Sequence, residues 1–399
     1  MIGSAKQGRE VRGTKERALA HIEVISELNP IPGYDRVEQA TILGWRVVVR
    51  KDEFKVGDMC CYFEIDSKLK ETEWSEFLRP KHFKIKTQKM CKTISQGLAL
   101  PIDIIPELQG KALHVGDDVT ELLGVIYSVE EDNIRKSKNG DPNAKYKSMA
   151  ARYQKLFKTK PFRWLMRRTW GRKLLFAFFG KKKDKPKAFP DWIVKTDETR
   201  CENIPWILGD KNKYVVTSKI DGTSSTYAID FTKNKKGEFI VCSRNVRQLD
   251  EKQECYHTCG NVYYEMAGKY DIESALRQIA KVRNAKRVVL QGETYGESLQ
   301  GNPYKLNERR FAAFNLIIDG VRLGSLEARD VLLGYDIPFV PILRIQDCIP
   351  ETMEELKLEA DGYSEINSNV IREGLVYRSI DGQKSFKNVS REFLLKRKE

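Results

Sequence analysis

Lys219 lies in YVVTSKIDGTSSTYAID, residues 214–230, between two runs that alternate as strands do. An amine attacks an electrophile only when neutral, and an ordinary lysine pKa of about 10.4 leaves roughly one in a few thousand neutral at pH 7. Nucleophilic chemistry at Lys219 would therefore need burial, neighbouring cations or a metal ion to favour the neutral amine. In KIDGTS, Asp221 and Gly222 supply a turn, the flanking strands fix the backbone, and small hydroxyl residues leave room for a ligand. The string alone equally fits an exposed lysine beside a hairpin turn.

Five further elements follow in order: SRN with Arg244, LQGETYG with Glu293, FAAFNLIIDG with Phe314, REGLVYR with Glu373 and KSFKNVS with Lys387. The six span about 170 residues. Taken singly, Glu293 fits an exposed strand position, Phe314 a core position with Phe311 close by, and Lys387 a solvated hairpin lysine. As an ordered set they resemble the covalent nucleotidyltransferase superfamily of ATP-dependent ligases and capping enzymes, and most closely its RNA ligases.

The resemblance implies a role for each position. Lys219 would carry AMP, and Asp221 and Gly222 in its turn would help bind the nucleotide. Arg244 would contact the nucleotide or the acceptor phosphate, Glu293 would hold the ribose and Phe314 would stack on adenine. Glu373 would orient metal-bound waters and Lys387 would reach the α-phosphate. Related RNA ligases often carry a second lysine two positions after Lys387; this chain has Val389 there, and Lys384 is the expected substitute. Nucleotidyl transfer depends on positioning and charge neutralisation, so cations at the phosphates and a carboxylate-held Mg²⁺ or Mn²⁺ suit the reaction. Mg²⁺ keeps several waters and uses few protein carboxylates, which suits Glu373 as a ligand acting through water.

The elements around these residues divide 399 residues into more than one domain. Residues 1–125 read as short strands, including ALAHIEVISEL, ATILGWRVVVRKDEF, DMCCYFEID and ISQGLALPI, separated by turn formers such as PIPGYD and KVGD. A small β-barrel of the oligonucleotide-binding (OB) type is expected. Residues 193–399 read as an α+β domain: VYYEMAGKYDIESALRQIAKVRN has helical spacing, KRVVLQGETYG and RRFAAFNLIIDG read as buried strands, and EGLVYRSIDGQKSFKNVS reads as a hairpin. The resemblance implies antiparallel sheets with flanking helices for this nucleotidyltransferase domain.

Residues 126–192 form a basic, aromatic-rich insertion expected to be helical, with cations among Phe162, Trp164, Leu165, Trp170, Leu174 and Phe178. Such a segment fits RNA bases and phosphates, an anionic membrane surface, or a helix whose apolar stripe packs on its own domain. Across the chain, 70 Lys and Arg against 56 Asp and Glu leave +14, which favours a polyanionic partner.

Eight scattered cysteines without a leading signal sequence fit a reducing, cytoplasmic compartment. The longest apolar run, LLFAFF, falls far short of the roughly 20 residues that span a bilayer, so a soluble protein without membrane insertion is expected. CYHTC, with Cys255, His257 and Cys259, lacks a fourth ligand at zinc spacing. No Walker loop is present, and His21, His82 and His114 are not paired with a nucleophile in sequence.

DNA ligases and capping enzymes place an OB domain after this core, but only twelve residues follow Lys387. The OB-like unit instead precedes the core, which resembles the RNA ligase group that seals nicked duplexes carrying an RNA 3′-hydroxyl strand. The implied activity is ATP-dependent joining of a 3′-hydroxyl RNA end to a 5′-phosphate end through lysyl-AMP. RNA, an RNA/DNA hybrid or a nicked duplex is the expected partner, and a monomer is expected. A catalytically inactive RNA-binding protein and a GTP-using capping enzyme are the alternatives.

Overall fold

The computed structural model describes residues 10–11, 14–15, 18–128, 159–179, 187–195, 197–248 and 261–396. Cys255, His257 and Cys259 lie outside them, as does much of the basic insertion. Residues 1–125 and 186–399 compose one compact unit and residues 126–185 a second. Among the described residues, no helix is long and apolar enough to cross a membrane.

The N-terminal sheet contains β1 (Ala20–Ile31), β2 (Tyr34–Ile42), β3 (Trp45–Arg50), β4 (Met59–Phe63) and β5 (Leu98–Pro101), in the order β5–β4–β1–β2–β3. β1 curls the sheet by changing partners: Ala20–Val24 pair with β4, and residues 25–31 pair with β2 across register shifts. Ile25, Ile42, Trp45, Val47, Cys60 and Tyr62 fill the concave side, giving the half-barrel of an OB fold. His21 lies 2.7 Å from the Glu23 carboxylate and 3.5 Å from that of Glu64. Burial opposes its charge, but the two carboxylates push its pKa up to about 9.

Among the described residues of 126–185 are two helices, α1 (Lys160–Arg167) and α2 (Thr169–Phe179). The C-terminal region is built on two sheets. The first comprises β6 (Lys187–Ala188), β9 (Thr223–Asp230), β10 (Glu238–Ser243), β11 (Val246–Gln248), β12 (Arg287–Gly296), β13 (Arg309–Ile318) and β14 (Val321–Arg322), in the order β6–β11–β10–β9–β12–β13–β14. The second comprises β7 (Thr199–Arg200), β8 (Tyr214–Lys219), β15 (Ile342–Gln346), β16 (Gly374–Ser379) and β17 (Ser385–Val389), in the order β7–β17–β16–β8–β15. Only the short β7–β17 pair is parallel in that sheet.

One side of the first sheet packs Leu290, Phe311 and Leu316 against helices α3 (Val262–Lys269), α4 (Ile272–Arg283) and α5 (Ser325–Leu333). The single helical stretch expected over VYYEMAGKYDIESALRQIAKVRN is therefore two helices. Asp271 adopts φ 43°, left-handed backbone that an α-helix cannot pass through, and its position starts α4.

The OB region meets the turn after β7, Cys201–Asn203, and the helix Met353–Glu359 through specific contacts. Trp45 Nε1–H donates to Asn203 Oδ1 at 2.5 Å, and Asn203 Nδ2–H donates to Glu64 Oε1 at 2.6 Å. Arg46 pairs with Glu354 at 2.5 Å, and the Gly44 amide donates to the Glu202 carbonyl at 2.9 Å. A Cβ at Gly44 would lie 2.8 Å from the Glu202 Cα, so the close approach depends on glycine there.

Candidate active site

Lys219 ends β8, an interior strand whose preceding residues, 214–218, are all buried. In the antiparallel register Lys219 faces Gly374, the first residue of β16, and this carries the preceding Glu373 to the lysine. Lys219 Nζ donates to Glu373 Oε1 at 2.7 Å across 154 residues of sequence. Gly374 has φ 155°, and a Cβ there would lie 2.2 Å from the Asn388 carbonyl oxygen of β17. Glycine thus lets Glu373 leave the edge of the sheet toward Lys219.

Burial disfavours a charged Lys219, but Glu373, aided by Glu293 and Asp221, outweighs it and holds the lysine above its ordinary pKa. The amine is therefore an ammonium at neutral pH in this arrangement. Glu373 Oε2 is buried and, among the described residues, has no hydrogen-bond partner. It is an acceptor held ready for a donor that a ligand or hydrated metal would bring.

The KIDGTS turn carries the chain from β8 in one sheet to β9 in the other, so it joins the two sheets at the lysine. The Asp221 amide donates to Tyr304 Oη at 2.7 Å. A Cβ at Gly222 would lie 2.3 Å from the Thr294 carbonyl oxygen and 3.0 Å from Glu293 Cγ, which explains the glycine without any special φ. Glu293 lies opposite Ser224 in the β9–β12 ladder. Burial pushes its carboxyl up to about 8; Lys219 opposes the shift, whereas Glu373 and Asp221 add to it.

A register shift against β12 leaves Phe314 between the partners of Gln291 and Gly292, so β13 bulges at this residue. Phe314 is half-buried beside Ile220, Tyr304 and Ala312. Phe311, by contrast, is fully buried in the helix-side core, edge-on to Tyr227 with ring centroids 5.4 Å apart. Arg378 of β16 braces Phe314: Nη1–H donates to its carbonyl at 2.8 Å, and the guanidinium lies 5.8 Å from the ring centroid. Glu198 pairs with Arg378 at 3.0 Å and accepts from the Ser385 hydroxyl at 2.5 Å. Burial works against the charge on Glu198, but Arg378 and Ser385 hold its carboxyl below the usual range.

Two further cations converge on Asp197. Lys387 on β17 lies 2.7 Å from its carboxylate, and Arg244, in the turn between β10 and β11, lies 3.6 Å away. Burial, with Arg200 and Lys219, lowers the pKa of Lys387 below the ordinary lysine value even though Asp197 opposes the shift. Lys384 takes a different direction and pairs with Asp210, which also accepts from the Tyr214 hydroxyl at 3.0 Å. Val389 is buried, and its carbonyl accepts from Lys357 at 2.6 Å, while Lys357 pairs with buried Glu202 at 2.8 Å. A lysine at 389 would start in that packed region.

The structure thus gathers Lys219, Asp221, Gly222, Glu293 and Glu373 around one turn, sets half-buried Phe314 against the adjoining Ile220 cluster, and ties Arg244 to Lys387 through Asp197. It sends Lys384 to Asp210. Sequence reasoning missed Asp197, Glu198, Arg378 and Tyr304. The acids of TDETR, residues 196–200, were the available signal, but a short acidic run resembles an ordinary exposed loop.

Residues 19–102 match an OB-fold domain model, and residues 212–397 match the model described as RNA ligase. The solved structure of Naegleria gruberi RNA ligase with PPi is 29% identical, with TM-score 0.72, covering 95% of this chain and 98% of that chain. A mutant of the same ligase with ATP and Mn is 30% identical, with TM-score 0.70 and coverage of 96% and 98%. An apo mutant is also 30% identical, with TM-score 0.71 and coverage of 95% and 97%. None of the curated proteins compared with the chain matches it. With the motif residues gathered on two sheets behind an OB fold, and likeness running along nearly its whole length, the chain belongs to the RNA ligase family.

Proposed function

We propose that this chain is an ATP-dependent RNA ligase that joins a 3′-hydroxyl RNA end to a 5′-phosphate end through a lysyl-AMP intermediate. The observation that carries the reading is Lys219, held 2.7 Å from Glu373 beside a turn packed against Glu293. In the first step, the neutral Lys219 amine attacks the α-phosphorus of ATP. An N–P bond forms, the nitrogen gives up a proton to solvent, the bond from that phosphorus to the bridging oxygen breaks, and pyrophosphate leaves. In the second, a 5′-phosphate oxygen of RNA takes the AMP, and Lys219 departs and regains its proton. In the third, the 3′-hydroxyl attacks the 5′-phosphorus, loses its proton and expels AMP.

Each residue has a proposed task. Lys219 is the nucleophile, and Asp221 and Gly222 keep its turn against Glu293. Glu293 hydrogen-bonds the ribose, and Phe314 stacks on adenine from a ring fixed by Arg378 and Glu198. Lys387 and Arg244 neutralise phosphate oxygens. Lys384 acts at longer range, steadying β17 through Asp210. The residues fit a hard divalent cation such as Mg²⁺ or Mn²⁺: Glu373 offers a buried, unsatisfied carboxylate oxygen that could hold one directly or through water. When bound, the ion neutralises charge developing on the phosphates. The related ligase structures with ATP or AMP and Mn support this choice of nucleotide and metal.

Residues 1–125 are the proposed nucleic-acid-binding OB domain and 193–399 the adenylyltransferase. The enzyme acts as a monomer on nicked duplexes in a reducing, cytoplasmic setting; Cys60, Cys61, Cys91, Cys201, Cys242 and Cys348 are free thiols. The test is sealing of nicked duplexes with ribose or deoxyribose at the 3′-hydroxyl end, with ATP and Mg²⁺. Ribose-dependent sealing supports the proposal. RNA binding without sealing would favour an inactive RNA-binding protein, and labelling by GTP in preference to ATP would favour a capping enzyme.

A further inference from the structure

The helical pair of residues 160–179 carries an exposed apolar surface that includes none of the candidate active-site residues. Trp170, Leu174 and Phe178 recur every fourth residue on α2, forming one stripe along the helix. They are 52%, 46% and 77% exposed. Trp164 of α1, itself 52% exposed, extends the stripe by meeting Trp170 edge-on, with ring centroids 6.0 Å apart.

Gly171 turns another side of α2 inward: a Cβ there would lie 2.3 Å from the Leu165 carbonyl oxygen of α1. Leu175, four residues on along the same side, is buried. The apolar ridge is therefore exposed and is not the face by which α2 packs on α1.

Charge narrows what can cover this ridge. Residues 159–179 contain six Lys and Arg and no Asp or Glu. Arg167, Arg168 and Lys173 are exposed, and the Arg168 guanidinium lies 4.6 Å from the centroid of the Trp164 ring. The sequence continues into KKKDKPK at residues 181–187. A partner must bury Trp, Leu and Phe while presenting anions at the rim. Single-stranded RNA supplies anions and stacking faces, but Leu174 at the centre of the stripe offers no π-face. A bilayer containing anionic lipid supplies both parts: acyl chains for Leu174 and Phe178, the interfacial layer for the indoles, and headgroup charge for the cations.

We propose that residues 160–179 form a peripheral docking element for anionic membrane surfaces, with the Trp164–Trp170–Leu174–Phe178 ridge entering the interface and Arg167, Arg168 and Lys173 lying at the headgroups. Docking is reversible because a short interfacial helix pair buries far less apolar surface than a spanning helix. The test floats the full-length protein with vesicles of phosphatidylcholine alone or phosphatidylcholine with phosphatidylserine, at moderate and high salt. The comparison variant combines Leu174→Ser and Phe178→Ser; both side chains are already exposed, and an unchanged melting temperature verifies the fold.

The wild type is expected to float with the serine-lipid vesicles, to lose most of that binding at high salt, and to show blue-shifted tryptophan emission when bound. The variant is expected to float about tenfold less while retaining its affinity for single-stranded RNA. Absence of flotation with anionic vesicles overturns the proposal. Equal flotation of the variant overturns it too, since charge alone would then explain binding. A variant that loses RNA affinity but not vesicle binding identifies the ridge as an RNA-stacking surface instead.

Discussion

Lys219 and Glu373 form an ion pair at 2.7 Å because strand register places Lys219 opposite Gly374, the residue after the glutamate. The contact favours the ammonium form, whereas attack on ATP needs the neutral amine. Lys219 has its pKa raised relative to an unfolded lysine, so the pair contributes stability below the ordinary lysine pKa and loses it as pH rises through the folded value. Glu373→Gln removes the main influence holding the pKa up and leaves burial, which lowers it, against the smaller influences of Glu293 and Asp221. The pH profile for modification of Lys219 by an amine-selective reagent, in protein without ATP, is expected to move to lower pH in Glu373→Gln. An unchanged profile would mean that the pair does not control protonation of the nucleophile.

Glu293 is expected to weaken the fold as pH rises. Its carboxyl is pushed up to about 8 from 4.5, so between those values the folded chain holds a proton that the unfolded chain has lost. Stability from this site is therefore lost as pH climbs from about 4.5 to about 8, and the full cost remains above that range. Glu293→Gln removes the titration. Its unfolding free energy relative to wild type is expected to rise across that window, by an amount on the order of 2 kcal/mol after allowance for partial solvent screening. The same variant is expected to bind ATP less well above about pH 8, where Glu293 is a carboxylate that can accept ribose hydroxyls with both oxygens and the amide offers one.

Asp197 occupies the position between Arg244 and Lys387 where phosphate oxygens are proposed to bind. It is both a holder of the two cations and a competitor for them. Asp197→Asn keeps the side-chain shape and removes the charge. The KM for ATP in the self-adenylylation step is expected to fall by roughly three- to tenfold, in line with loss of a partly exposed competing charge. A raised KM would show that positioning of Arg244 and Lys387 outweighs competition.

Phe314 and Phe311 provide a paired test of the adenine site. Phe314 is half-buried on the bulge, so Phe314→Ala is expected to raise the KM for ATP by about tenfold to a hundredfold, the scale of roughly 1–3 kcal/mol for a stacked base, with a small change in melting temperature. Phe311 is fully buried among the helix-side core residues, so Phe311→Ala is expected to cost about 3–5 kcal/mol of stability. Thermal melts with ATP titrations separate the two outcomes.

Much of the site was legible because its parts are local. KIDGTS combines a strand end, a turn and small residues, and each can be read from neighbouring positions. The spacing of Glu293, Phe314, Glu373 and Lys387 became informative as an ordered set. Pairing partners across long separations were less accessible. Glu373 reaches Lys219 through a register that joins residues 154 apart, and Asp197 reaches Lys387 across 190 residues. The preference for Phe314 over Phe311 depends on a bulge that shifts one strand by a residue, and alternation alone does not reveal it. The break at Asp271 was hidden because helical spacing continues on both sides. The Lys384 pair was out of reach for a related reason: nearness to Lys387 in sequence says nothing about its contact with Asp210.

The central claim is that Lys219 becomes covalently attached to AMP, and it is tested by incubating the full-length protein with ATP labelled at the α-phosphate and Mg²⁺ or Mn²⁺, then denaturing it and measuring retained label. The wild type is expected to retain acid-labile label and to release it on addition of pyrophosphate, while Lys219→Ala retains none and Lys233→Ala, at an exposed lysine away from the turn, labels normally. Label that persists in Lys219→Ala, or a wild type that acquires none across both metals and a range of pH, would contradict the account.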